Sequence, residues 1–129
     1  MTSKALRRLA LSLPEAHEEP HFARTSFRVG KKIFATMTAD GTEAMVRVAS
    51  RARLRALLEA HPRVFFSYGG WTERNGALGI RLAAVDGALQ GELLPELLPE
   101  LLPELLPELL IDAWRSIAPK RAQASRKVI

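Results

Sequence analysis

Between Arg24 and Met37 the chain reads RTSFRVGKKIFATM, and this alternation constrains the fold more than any other stretch. Thr25, Phe27 and Val29 fall on one side and Arg24, Ser26 and Arg28 on the other, the period of a strand with one buried face. Gly30 and Lys31 supply a turn into KIFATM, and Asp40-Gly41 supplies the next into AMVRV. Three consecutive antiparallel strands are therefore expected, joined by short hairpins.

Helical periodicity frames these strands. SKALRRLALSL sets Leu6, Leu9 and Ala10 on one face, with Ser3 as the expected N-cap. Pro14 and Pro20 then predict a loop. After Ser50, a second N-cap, RARLRALLEAH places Leu54, Leu57 and Leu58 at helical spacing and stops at Pro62. VFFSY and ALGIRLAAV read as two more strands, and IDAWRSIAP as a last helix ended by Pro119. The predicted order is α-β-β-β-α-β-β-α, an α+β domain with helices packed on an antiparallel sheet. It fills residues 1–119, and residues 120–129 are expected to be a flexible basic tail.

A chain of 129 residues suits one domain, which buries roughly two-thirds of its unfolded surface. Cysteine is absent, which excludes disulfides, thiolate zinc sites and a cysteine nucleophile. The N-terminal apolar run is short and is followed by Pro14 and Glu15 rather than a small-residue cleavage site, so a cytoplasmic protein is expected. The net charge of +5 is unevenly spread. Residues 1–91 hold 14 basic and 8 acidic residues, 92–112 hold six acids and no base, and 115–127 hold five bases and no acid. The body and tail thus attract polyanions, a statement about partners and not about fold.

ELLP occurs four times from Glu92 to Pro107 and is followed by a fifth partial copy, ELL. Proline at every fourth position removes an amide donor and clashes with the carbonyl one turn back. At about 3 kcal/mol for each interior proline, a continuous helix would cost as much as a small domain's whole stability. The last helix is therefore expected to start at Pro107, with Glu108 in its first turn, leaving the earlier copies as kinked turns. A four-residue unit is too short for a solenoid. Eight leucines from Leu93 to Leu106 lack an assigned core, which raises self-association through the repeat beside the simpler reading of an inert insertion.

Catalytic patterns are sparse. His17, Glu18 and His21 spell HExxH, in which two histidines on one helical face bind zinc and the glutamate activates water. Pro20 interrupts the helix this chemistry needs, so a proline-broken turn is the simpler reading, and a weak metal-binding or hydrolytic role at His17 and His21 is the alternative. There is no Walker loop, GxGxxG or GxSxG. Neither an enzyme nor a cofactor is expected.

The basic residues form a more coherent set. Arg24 and Arg28 lie opposite Phe27, Lys31 and Lys32 occupy the hairpin tip, and Arg47 falls on a neighbouring strand. Arg51 and Arg55 enrich the second helix, and Lys120 and Arg121 begin the tail. Such a set can reach phosphates, although solubilising surface charge accounts for it equally. Trp114 is expected in the core beside Leu110 and Ile117, while Trp71 falls in a loop and remains open.

LPEA, then HF, SFRVGKKIFA, GALGIRL and DAWRSIAPKR, in that order over nearly the whole chain, resemble the MmcQ/YjbR family of small bacterial proteins. The resemblance implies the helix and strand order above, and a DNA-binding-like fold with a double wing of hairpins. Removing residues 92–103 restores a family-like length, so the repeat reads as an in-frame expansion. The combined expectation is a non-enzymatic DNA-binding protein that contacts phosphates through a basic hairpin, with little base reading. A protein-interaction module is the rival.

Overall fold

The computed structural model describes residues 2–82 and 102–127. Its strands form one antiparallel sheet: β1 (Ala16–His21), β2 (Arg24–Val29), β3 (Lys32–Thr38), β4 (Glu43–Arg47), β5 (Phe65–Ser67) and β6 (Ala77–Arg81). Their spatial order is β1-β2-β3-β4-β6-β5. The helices are α1 (Ser3–Ser12), α2 (Arg51–Ala60), α3 (Gly70–Arg74), α4 (Leu102–Ile117) and α5 (Lys120–Lys127). The α+β class is as expected; α3 is additional to the predicted order, and four further elements differ from the reading of the sequence.

The first is β1. Pro14 and Pro20 predict a loop, yet AHEEPH pairs with β2 from Ala16 opposite Val29 to His21 opposite Arg24. Among the described residues β1 is an edge strand, where a proline sacrifices no ladder bond that a second neighbour would need. The second is α1, whose cap is Thr2 rather than Ser3: the Thr2 hydroxyl accepts from the Ala5 amide at 3.1 Å. Ser50 caps α2 as predicted, accepting from the Arg53 amide at 3.2 Å.

The third is α4, which begins by Leu102 rather than at Pro107. Pro107 lies inside the helix, at a cost of about 3 kcal/mol. Burial outweighs that penalty. Leu106, Leu109, Leu110, Ala113 and Trp114 are all buried, and each large apolar side chain contributes roughly 1.5–3 kcal/mol. The first two ELLP copies and the start of the third, and with them five of the eight leucines proposed for self-association, lie outside the described residues. Leu106 is used in the core, and Leu105 packs against it.

The fourth is the tail, predicted to be flexible but helical from Lys120. Ala122 is buried, the Gln123 amide caps the Ala118 carbonyl at 2.8 Å, and Arg121 pairs with Glu15 at 2.9 Å. Three small attachments replace the apolar stripe that sequence periodicity looks for.

Helix α4 lies across β3 and β4, α1 packs on β1 and α4, and α2 on β5. All three cover one face of the sheet. Phe27, Ala35, Ala44, Val46, Leu78 and Ile80 supply that face, and Trp114 fills its centre. The Trp114 indole N–H donates to the Pro14 carbonyl at 3.0 Å, tying α4 to the loop after α1. A register shift between β2 and β3 makes Phe34 an extra residue, which lets Phe34 and Ala35 both be buried and bends the strand.

Candidate nucleic-acid interface

The helices leave the other face of the sheet open. Arg24, Ser26 and Arg28 of β2 point to it, as do Ile33 and Thr36 of β3, Met45 and Arg47 of β4, and Ala77, Gly79 and Arg81 of β6, by the registers that join them. The face is concave. Arg24 Nη1 donates to Tyr68 Oη at 3.0 Å, although three strands separate β2 from β5 in the sheet. The Arg24 guanidinium lies 5.4 Å from the Tyr68 ring centroid, Tyr68 lies 5.0 Å from Phe66, and the Arg81 guanidinium lies 4.8 Å over Phe66. This cation–ring–ring–cation stack spans the face. It rests on Gly79, where a Cβ would come within 2.4 Å of the Phe66 ring.

The predicted cations divide into engaged and available groups. Arg28, with a side chain only 19% exposed, lies 3.7 Å from Glu19 and donates to Ser26 Oγ at 2.8 Å. Arg55 pairs with Glu73 at 2.8 Å. Glu15 holds Arg121, and that hydrogen bond and charge raise the guanidinium pKa further. Arg24 is committed to the aromatic stack. Lys31, Lys32, Arg47, Arg51 and Lys120 form no ion pair among the described residues.

Four of these available cations lie toward one end of the sheet. Val29 pairs with Lys32 across the tip of the β2–β3 hairpin, where Gly30 has φ +61°, as a two-residue turn of this hand requires. Ala35 pairs with Val46, so the tip lies toward the same end of the sheet as Arg47, where β4 finishes and α2 begins with Arg51. Arg47 and Arg51 line a polar cavity of about 230 Å³ together with Arg74 of α3. Arg74 was not among the predicted residues, because only the tertiary fold carries α3 to β4. Lys120 and Arg121 belong to α5 on the covered side.

HEEPH is a strand, not a zinc helix. His17 and His21 face the same side, opposite Arg28 and Arg24, but four residues of strand separate them by about 13 Å, too far to share one metal ion. His17 instead contacts Glu19 at 2.8 Å, and Glu18 contacts Arg7 of α1 at 3.2 Å. No cluster of three or more metal-ligating side chains occurs among the described residues. At the other end of the sheet, Asp40 accepts from the Thr42 amide at 3.0 Å and from the Thr38 and Thr42 hydroxyls, each at 2.7 Å. These bonds, the amide first, hold its carboxyl down at about 2.

Trp71, left open by sequence, is 75% exposed. It lines a groove on the open face, a cavity of about 350 Å³ between α3 and the end of β1, whose lining includes His21, Met45, Arg47 and Asn75. No helix of the described residues is long and apolar enough to cross a membrane.

Comparison with solved structures finds the crystal structure of Deinococcus radiodurans protein DR2400, which has a DUF419 domain. It superposes with a TM-score of 0.63 at 24% identity, over 88% of this chain and 75% of that one, a likeness of fold. No curated protein matches. The family model described as YjbR matches residues 11–116, from the end of α1 through β1–β6 and nearly all of α4, and the chain therefore belongs to the YjbR family.

Proposed function

We propose that this protein is a cytoplasmic DNA-binding protein without catalytic activity, gripping phosphates at one end of its sheet and reading little sequence. The observation that carries the proposal is the placement of Lys31, Lys32, Arg47 and Arg51 toward one end of the sheet, with no ion-pair partner among the described residues. Leaving four like charges together costs stability unless a polyanion meets them, and phosphate contacts supply sequence-independent affinity through counterion release. The hairpin remains part of the reading, with its weight moved from Arg24 and Arg28, which are engaged on the open face, to the lysine tip and Arg47.

Fluorescence anisotropy with duplex DNA across a salt series tests this. Affinity should fall linearly on a log–log plot, with a slope of about −0.9 per phosphate contact. Replacing Lys31, Lys32, Arg47 and Arg51 by alanine should flatten that slope and weaken all sequences alike. Absence of binding at low salt defeats the proposal. Self-association through the repeat is a separate proposal, resting on its leucines; sedimentation of the full chain beside one lacking residues 92–103 decides it, identical monomers ruling it out.

A further inference from the structure

The groove on the open face adjoins the polar cavity, and Arg47, Asn75 and Gly76 line both. The two compartments differ in chemistry. The groove is predominantly apolar, with Ile33, Met45 and Ala77 beside the exposed Trp71 and with Thr36, Thr72 and Asn75 among its uncharged polar members. At about 350 Å³ it falls within the roughly 300–1,000 Å³ of small-ligand sites. Its neighbour gathers Arg47, Arg51 and Arg74. The acid at that cavity, Glu73, is already matched by Arg55 at 2.8 Å and by the Ser67 hydroxyl at 2.6 Å. Among the described residues no acidic side chain lines the groove. An apolar slot with an aromatic wall beside a trio of guanidinium groups is complementary to a planar ring carried next to a phosphate.

Resting on the phosphate-binding reading above, we propose that the groove takes an unpaired base of single-stranded DNA stacked on Trp71, while Arg47, Arg51 and Arg74 take the adjoining phosphate. A base within a duplex has both faces covered by its neighbours, so only an unstacked base can use an aromatic wall. The Thr36 hydroxyl already accepts from Arg24 and the Asn75 amide already donates to the Trp71 carbonyl, so the groove lacks the bidentate donors and acceptors of a strict code and stacking is sequence-tolerant. The two tryptophans show the contrast: Trp114 is enclosed and its N–H is bonded, whereas Trp71 presents its ring to solvent at the rim of a cavity. Across the groove, His21 precedes Phe22, which is 96% exposed and held at φ +55°, a left-handed conformation rare for a bulky residue and often kept at functional sites.

The test uses the full chain and three probes of equal length: a deoxythymidine 12-mer, an abasic phosphodiester 12-mer, and a 12-base-pair duplex. Trp71 emission should be quenched by the thymidine strand, with Trp114 as the constant background. The thymidine strand should bind about tenfold more tightly than the abasic strand, within the range of base stacking on one aromatic ring. Trp71→Ala should lose that advantage and Trp71→Tyr should keep most of it. Equal affinity for thymidine and abasic strands, or unchanged emission on binding, overturns the base site while duplex binding leaves the phosphate reading standing. Failure of all three probes to bind at low salt overturns both.

Discussion

Phe27 and Arg28 are neighbours in β2, yet one is sealed under α4 and the other faces the open side of the same sheet. The covered face is cemented by apolar area, with Trp114, Phe27, Phe34 and Leu78 all but inaccessible. The open face is instead organised by a polar and aromatic lattice: Arg28 on Ser26 and Glu19, and Arg24, Tyr68, Phe66 and Arg81 in one stack. Both faces are ordered, but they tolerate change differently. Dispersion and burial are lost with volume, whereas a surface lattice depends on a few contacts and leaves other side chains without partners. The difference teaches where function can be placed: Arg47 and Trp71 belong to the face that does not have to be filled, and Lys31, Lys32 and Arg51 lie at the end of the sheet beside it.

The contrast can be broken first at Trp114. Trp114→Ala should cost about 3–5 kcal/mol in urea unfolding, as for large core aromatics; a loss below about 1 kcal/mol would mean that α4 is not the lid of the core. Gly79→Ala comes next. Its methyl group would stand 2.4 Å from the Phe66 ring, and overpacking of this kind costs about 1–3 kcal/mol. A neutral result would show the aromatic stack to be loose, and the open face less ordered than its partner.

A smaller effect is expected at Asp40, in the exposed β3–β4 turn. Its folded pKa is lowered from 3.8 to about 2, so its contribution is complete above pH 4 and is lost as pH falls through the range from 4 to 2. Asp40→Asn should therefore differ from the parent protein in denaturation midpoint above pH 4 and converge with it near pH 2. A difference that widens toward low pH would reverse the sign and remove the carboxylate from this account. The smallest change in stability is expected when Lys31, Lys32 and Arg47 are all replaced by alanine: within about 0.5 kcal/mol, as at surface positions without partners, measured in the same urea titration. A larger loss would place these cations in the architecture rather than at the interface.

The central hairpins were legible because period-two alternation and turn residues agree from Arg24 to Arg47. Strand β1 was not, since Pro14 and Pro20 are strong breakers and only its place at the sheet edge makes Pro20 harmless. Helix α3 is five residues long, too short for a periodic signal. Helix α5 is anchored by Ala122, Arg121 and Gln123 rather than by an apolar stripe. At the candidate site, charge alone singled out Lys31, Lys32, Arg47 and Arg51. It could not separate them from Arg28 and Arg55, because their acidic partners Glu19 and Glu73 are strangers in sequence or cross strands. The aromatic stack and the pairing of groove with polar cavity depend on curvature, which no local pattern encodes.

The proline inside α4 carries a last consequence. Among the described residues, the repeat leucines at the core come from the fourth and fifth copies, Leu105, Leu106, Leu109 and Leu110, and every complete copy has the same spelling. Loss or gain of one upstream unit delivers an identical ELLPELLI to the sheet, whichever copy ends up last. What α4 buries from Leu105 onward is thus spelled the same whatever the repeat number, and the count can drift by replication slippage without rewriting that segment. Deleting residues 92–95 should leave the thermal midpoint unmoved, and a shift of more than a few degrees would show that the units are not interchangeable.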